Sequence, residues 1–326
     1  MTDPVLSVQG LTVEIPGRRG ILRPVDDVSF DIAAGEILGV VGESGAGKSM
    51  TGNAVIGLLD PPARISAGQV MLKGEPIHTT KGDAIRRIRG KRMGMIFQDP
   101  LTSLNPLLTI GDQLTETILQ HLDVSEPEAR RRAMTALDDV GIPAVEDRID
   151  SYPHQFSGGM RQRVVIALAL CAEPEVVIAD EPTTALDVSV QAQVLALLKR
   201  LCREKGLAVM LITHDMGVIA ETADRVAVMY AGRMAELGPV RDVVTVAHHP
   251  YTAGLMASTP DASRGEARLR QIPGSMPRLG NLPAGCPFHP RCDRVGEKCR
   301  HDPRPDLSVD GGRAACWFPL TEKAET

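Results

Sequence analysis

The chain has 326 residues, 43% of them hydrophobic and 24% charged, with a net charge of -5. Those are globular proportions, and the length exceeds what one domain usually needs, so a large domain with a smaller appendage is expected. The acidic balance argues against nucleic acid as the main partner, and no run of about 18 apolar residues marks a membrane-spanning helix.

Val5 to Ile15 alternates apolar and polar residues and reads as a strand, as does Val28 to Ile32. Ile37 to Val41 is an apolar run suited to a buried parallel strand. A Gly-rich loop follows, then a helix expected over Lys48 to Leu59. Arg86, Arg87, Arg89, Lys91 and Arg92 form a basic run, read as a solvated edge beside the next short strand, Met93 to Phe97. Leu101 to Ala172 is mostly helical in pattern, with Glu126 to Val140 a charged surface helix. Val176 to Ala179 and Ala208 to Thr213 read as buried strands on either side of an amphipathic helix, Val190 to Lys205. Alternating strands and helices imply an α/β core with a parallel sheet. From His249 onward Pro, Gly, Arg and Cys dominate, and a small irregular domain that needs a staple is expected. No internal repeat of fixed period is visible. The start, Met1-Thr2-Asp3-Pro4, has no basic-then-apolar pattern of a secretory signal. A cytosolic chain is therefore expected, with its six cysteines as thiols or metal ligands before disulfides.

Gly42-Glu43-Ser44-Gly45-Ala46-Gly47-Lys48-Ser49 fits G-x-x-x-x-G-K-[ST], after a strand and before a helix as the chemistry requires. Backbone N–H groups of such a loop curl around phosphate oxygens, and the helix N-terminus adds partial positive charge. Lys48 is expected to reach the β- and γ-phosphates of ATP and Ser49 to bind Mg²⁺. Val176 to Glu181 is an apolar strand ending in two carboxylates. Asp180 would stand by the Mg²⁺, and Glu181 would orient the attacking water or accept its proton.

With Phe156-Ser157-Gly158-Gly159-Met160-Arg161-Gln162-Arg163 just before that strand, the chain resembles the ABC ATPase family. Gln98 looks like its Q-loop glutamine, Ala185-Leu186-Asp187 like its D-loop, and His214 like its switch histidine. The resemblance covers about Val5 to Pro239. It implies an ABC-type P-loop nucleotide-binding domain with an inserted helical subdomain at about 100–172, the whole domain spanning 1–248. It also implies two such domains packed head to tail around ATP. Ser157, Gly158 and Gly159 would meet the γ-phosphate held by the partner, with Asp187 nearby. Gln98 would sense Mg²⁺ and link to a membrane subunit, and His214 would stabilise the transferring phosphoryl charge. The signature departs from many members in having Met160. The first strand carries Val13-Glu14-Ile15 where an aromatic residue usually stacks on the base, so weak discrimination between ATP and GTP is expected.

Phe97 to Pro106, Asp180 to Val188 and His249-Pro250-Tyr251-Thr252 resemble the peptide-permease branch, most closely the D-type ATPase subunits of bacterial dipeptide/oligopeptide importers. The resemblance implies peptide import, a paralogous F-type ATPase partner, two membrane permeases and an extracytoplasmic solute-binding protein. It implies a peripheral place on the cytoplasmic face of the membrane, with a C-terminal extension over 249–326. The branch also contains nickel importers. A soluble non-transport ABC ATPase is the contrasting reading, disfavoured by the single cassette, and an iron–sulfur sensor keeping an ATPase body is a third, against which Glu181 and His214 argue.

Cys286, Cys292, Cys299 and Cys316 are spaced C-x5-C-x6-C-x16-C in that extension. Four thiolates suit a [4Fe–4S] cluster or Zn²⁺, although zinc sites usually contain a close C-x2–4-C pair. Unliganded thiols are the third reading, and His289 and His301 are substitute ligands. The branch resemblance implies the cluster; a structural role is expected because the segment needs a staple. Cys171 and Cys202 fall on expected helices and read as packing residues.

Overall fold

A computed structural model describes residues 3–17, 20–80, 82–184, 186–258, 271–307 and 313–320. Its strands are β1 (Leu6–Gly17), β2 (Gly20–Ile32), β3 (Ile37–Val41), β4 (Arg64–Leu72), β5 (Glu75–Pro76), β6 (Met93–Ile96), β7 (Val176–Asp180), β8 (Ala208–Ile212), β9 (Arg225–Tyr230) and β10 (Arg233–Pro239). Its α-helices are α1 (Lys48–Ile56), α2 (Asp83–Ile88), α3 (Pro100–Ser103), α4 (Ile110–His121), α5 (Glu126–Asp139), α6 (Val145–Arg148), α7 (Gly158–Leu170), α8 (Val188–Lys205), α9 (Met216–Thr222), α10 (Val240–Thr245), α11 (Pro250–Ala257) and α12 (Glu297–His301). The chain divides into two compact units.

One unit comprises residues 3–6, Ile32–Glu36 and Thr79–Leu211. Its strands lie in the order β8-β7-β6. β6 and β7 are parallel, in a register running from Met93 opposite Val176 to Ile96 opposite Ala179. Val176 to Ala179 are fully buried, as expected of a strand covered on both faces. The helical stretch starts from a clean signal. The Thr109 hydroxyl accepts from the Asp112 N–H at 3.1 Å, and the Asp112 carboxylate accepts from the Thr109 N–H at 3.3 Å, a capping box for α4. On α5, Ala129, Ala133 and Leu137 recur every four residues and are fully buried, so this charged helix packs one apolar stripe against α4 and α7. The basic run behaves as expected at Arg86 and Arg87, which lie on α2, a helix with no buried residue. Arg92 differs: it is only a quarter exposed and pairs with Glu175 at 2.7 Å.

The other unit comprises Ser7–Asp31, Ile37–His78 and the described residues from Ile212 onward. One set of strands runs β2-β1-β4-β5 and another β10-β9-β3, with β3 parallel to β9 and β10 antiparallel to it. Three features were not anticipated from sequence. α1 stops at Ile56 because Gly57 adopts φ 75 and turns its N–H back onto Ala54 and Asn53. β4 contains Ser66, Ala67 and Gly68, which blur the alternation that marks a strand. β9 and β10 form a hairpin whose two turn residues, Ala231 and Gly232, both have positive φ, 49 and 84. That is the primed turn expected between twisted strands, but alanine at its first position hides the signal.

The residues after Pro239 are built onto β10. Ala314 bridges Glu236 in antiparallel fashion, and the Leu237 N–H donates to the Arg313 carbonyl at 2.9 Å. The Glu236 side chain is fully buried and accepts from the N–H groups of His248 at 2.8 Å and His249 at 2.9 Å, which sets the entry to α11.

Candidate functional site

The apolar strand β3 delivers the Gly-rich loop, and α1 leaves it. Gly42 and Gly47 hold φ of 152 and 103. A Cβ on Gly42 would lie 2.3 Å from the Met229 carbonyl oxygen, and one on Gly47 would lie 2.4 Å from that of Pro24. No side chain fits there, so the loop's shape depends on these glycines. Lys48 is 6% exposed and its Nζ crosses the loop, donating to the carbonyls of Gly42 at 2.7 Å and Glu43 at 3.2 Å. Ser44 and Gly45 at the crest, and Ser49 at the start of α1, are exposed, whereas Ala46 is buried. The Thr213 N–H donates to the Val40 carbonyl at 3.1 Å. His214, the next residue, is exposed and therefore begins its turn beside the strand that feeds the loop.

In the other unit the β6–β7 register places the residues after Ile96 beside those after Ala179. Gln98 and Glu181 consequently meet: Gln98 Nε2 donates to Glu181 Oε2 at 3.1 Å. Thr184 Oγ1 donates to the same oxygen at 2.8 Å. Glu181 has φ 46, a left-handed conformation that costs a non-glycine residue about 1 kcal/mol or more and gathers at functional sites. Asp180 ends β7, partly exposed after four buried residues. Ser157 N-caps α7, accepting the Met160 N–H at 3.3 Å, and Ser157 and Gly158 are exposed. Asp187 N-caps α8 through the Val190 N–H at 2.9 Å. Of the D-loop tripeptide, Ala185 lies outside the described residues.

Sequence reasoning missed a set of side chains beside the loop. The Glu43 N–H donates to Tyr251 Oη at 2.8 Å. The Glu43 carboxylate accepts from Arg291 Nη1 at 3.0 Å, and the same nitrogen reaches Tyr230 Oη at 3.3 Å. Tyr230, Tyr251 and Phe288 form a buried aromatic cluster with ring centres 4.6 to 5.4 Å apart. Tyr251 stood in a recognised string, His249-Pro250-Tyr251-Thr252. Arg291, between two cysteines, carried no signal of its own. Thr184 is the other addition.

Cys286, Cys292, Cys299 and Cys316 all line one narrow cavity with room for about 10 Å³, roughly a single water. Burial pushes the Cys316 thiol up to about 11 and raises Cys286 and Cys292 as well. Arg304 and Trp317 line the same cavity, and Arg304 Nε and Trp317 Nε1 have no hydrogen-bond partner among the described residues. Also among the described residues, no three of His, Cys, Asp and Glu stand close enough to hold one metal ion. Cys171 and Cys202 are buried, and burial raises the Cys171 thiol to about 12, as suits packing residues.

No described helix is long and apolar enough to cross a membrane. A family model for ABC transporters matches residues 25–184. A second, for the C-terminal region of oligopeptide/dipeptide transporters, matches residues 235–299. The dipeptide transport ATP-binding protein DppD of Bacillus subtilis (strain 168) is 48% identical over 318 residues, which is 97% of this chain and 95% of DppD. The oligopeptide transport ATP-binding protein OppD of Salmonella typhimurium is 45% identical over 98% of this chain and 95% of its own. Among solved structures, a dimeric ATP-binding cassette in a post-hydrolysis state with ADP and phosphate is 28% identical, with a TM-score of 0.65, over 72% of this chain and 99% of that one. The loop, the two carboxylates and these full-length similarities agree: the chain is an ATP-hydrolysing subunit of the ABC transporter family, in the branch that carries the oligopeptide/dipeptide transporter C-terminal region.

Proposed function

We propose that this subunit powers import of dipeptides or oligopeptides across the cytoplasmic membrane, from its inner face. One observation carries the reading: the likeness to peptide-transport ATPases runs through both the nucleotide-binding part and the C-terminal region, with 48% identity over 97% of the chain. Residues 1–248 act as the nucleotide-binding domain and 249–326 as the extension. The backbone of Gly42 to Gly47 wraps the phosphates of ATP, Lys48 neutralises them, and Ser49, Asp180 and Gln98 serve the Mg²⁺. Glu181 orients the attacking water, and its contact with Gln98 supports that pairing of roles. His214 meets the charge that develops on the transferring phosphoryl group. Ser157, Gly158, Gly159 and Asp187 serve the nucleotide held by a second, F-type ATPase chain. The exposure of Ser157 and Gly158 at the N-terminus of α7 supports this. Two membrane permeases and an extracytoplasmic binding protein complete the machine.

For the four cysteines we propose a [4Fe–4S] cluster in a structural role; the cavity they line, at about 10 Å³, would have to widen to hold it. That all four cysteines line one cavity, beside two N–H donors without partners among the described residues, supports an anionic sulfur-rich group. A bound cluster would supply a cross-link for a segment poor in apolar residues. Cys292→Ser should lower iron and sulfide content, and normal content in that variant would overturn the assignment.

Uptake of labelled di- and oligopeptides, with nickel in parallel, in cells carrying wild-type or Glu181→Gln protein tests the transport reading. Loss of peptide uptake is expected. Intact peptide uptake with lost nickel uptake would move the chain to the metal-importing side of the branch.

A further inference from the structure

We infer that the C-terminal extension holds the phosphate loop in its nucleotide-binding shape, with Arg291 and Tyr251 as positioning residues that act through Glu43. This rests on the nucleotide-binding reading of the loop.

Glu43 is gripped twice. Tyr251 Oη takes its backbone N–H at 2.8 Å, and Arg291 Nη1 takes its carboxylate at 3.0 Å. One grip fixes the main chain and the other the side chain of the same residue. The carbonyl of Glu43 then accepts from Lys48 Nζ at 3.2 Å and from the Ala46 N–H at 3.1 Å. Any shift of Glu43 is thus passed to the lysine that meets the phosphates and to the turn that presents the loop's amides.

Both grips are stiff. Tyr251 is fully buried, and the Arg291 side chain is 7% exposed. Arg291 is held from behind by Nε donating to the Pro273 carbonyl at 2.7 Å, and its guanidinium lies 5.9 and 6.0 Å from the ring centres of Tyr230 and Phe288. The contact is charge-assisted, with the Arg291 end nearly buried and the Glu43 end 28% exposed, so water screens it only in part. The backbone beneath Arg291 is a short turn, His289–Arg291. The His289 N–H donates to the Cys286 carbonyl at 3.0 Å, and the Cys292 N–H donates to the His289 carbonyl at 3.3 Å. Whatever orders the turn between these two cysteines therefore orders the grip on Glu43. The extension is a buttress for the ATP site.

A purely structural contact would lower stability and leave nucleotide affinity alone, so affinity is the readout. Full-length protein is titrated with a fluorescent N-methylanthraniloyl ATP, and thermal unfolding without nucleotide is recorded in parallel. Arg291→Met should weaken binding about tenfold. Arg291→Lys should recover part of the loss, because it restores charge without the fork. Tyr251→Phe, which removes one acceptor, should weaken binding about threefold. Glu43→Gln combined with Arg291→Met should bind no worse than Arg291→Met alone, since both changes break one contact. Additive losses in that cycle, or unchanged affinity with a lowered melting temperature, would overturn the inference. Should Arg291→Met not fold, Tyr251→Phe and Glu43→Gln decide it on the same criterion. An unaltered chain that bound no nucleotide would overturn the underlying reading of the loop and this inference with it.

Discussion

Acid should loosen the extension through His249. The residue is 2% exposed and N-caps α11, its Nδ1 accepting the Tyr251 N–H at 3.0 Å. The fold therefore uses the neutral ring. Burial, and secondarily the positive charge of Arg304, lower its pKa to about 3. In the unfolded chain the ring titrates near its ordinary ~6.5. Between these values the unfolded chain binds a proton that the folded chain refuses, so the native state loses stability as pH falls from about 6.5 toward 3. Above about 6.5 the contribution is intact. The loss amounts to roughly 1 kcal/mol at pH 5.5 and roughly 3 kcal/mol at pH 4.5. Urea unfolding at pH 7.5, 5.5 and 4.5 can be followed by Trp317, the single tryptophan of the chain, which lines the cavity that His249 also borders. Carboxylates titrate in the same window, so the comparison is with His249→Asn. Its amide oxygen can accept the same capping hydrogen bond and takes no proton. The wild-type curve should fall below the variant's by the amounts above. Curves that stay parallel across the pH series would refute the reasoning.

Three further outcomes are expected. A Cβ on Gly159 would lie 2.6 Å from Val190 Cγ1, so Gly159→Ala should cost roughly 1–3 kcal/mol in thermal unfolding, and adding Val190→Ala should restore most of it. No loss in the single variant would show that the start of α8 yields freely. With Ile15 where an aromatic residue would stack on the base, ATP and GTP should be hydrolysed at similar rates, and Ile15→Tyr should shift preference to ATP by about 1 kcal/mol; a strong preference in the unaltered chain would count against that account of Ile15. Cys171, buried and raised to about 12, should stay unalkylated by iodoacetamide at pH 8 in the native protein and react after unfolding; native labelling, read by peptide mass, would contradict its burial.

What could be read from the sequence was the chemistry whose signal is local. Gly42 to Ser49 announces itself because its backbone tolerates only glycine at Gly42 and Gly47, where a Cβ would clash. β3, β7 and β8 were visible because a strand buried on both faces is a continuous apolar run. Of the strands that escaped, β4, β5, β9 and β10, only β9 carries that signature, in Val226 to Tyr230, and it was passed over. β4 is broken by small residues, and the β9–β10 turn uses an alanine at positive φ where Asn or Gly would have been recognised. The basic run shows the same limit. Composition suggested solvent for all five residues, yet Arg92 is matched to Glu175, a partner 83 residues away that no local pattern reveals.

The Glu43 contacts carry that limit to its extreme. Glu43 looked like a variable position of the loop, one of the four residues between its framing glycines. Its partners lie 208 and 248 residues further on, in strings that made sense only as the opening of the extension and as spacing between cysteines. A charge on the loop, a buried phenol and an arginine held against aromatic rings have little local reason to be where they are. Together each supplies what another lacks. The carboxylate gives the largely buried Arg291 a counter-charge, the phenol oxygen accepts a main-chain N–H, and both contacts converge on the residue whose carbonyl meets Lys48. An arrangement that buries an arginine beside the phosphate loop is costly unless it is fully paired, so its completeness argues that the extension and the loop form one working part rather than two neighbours.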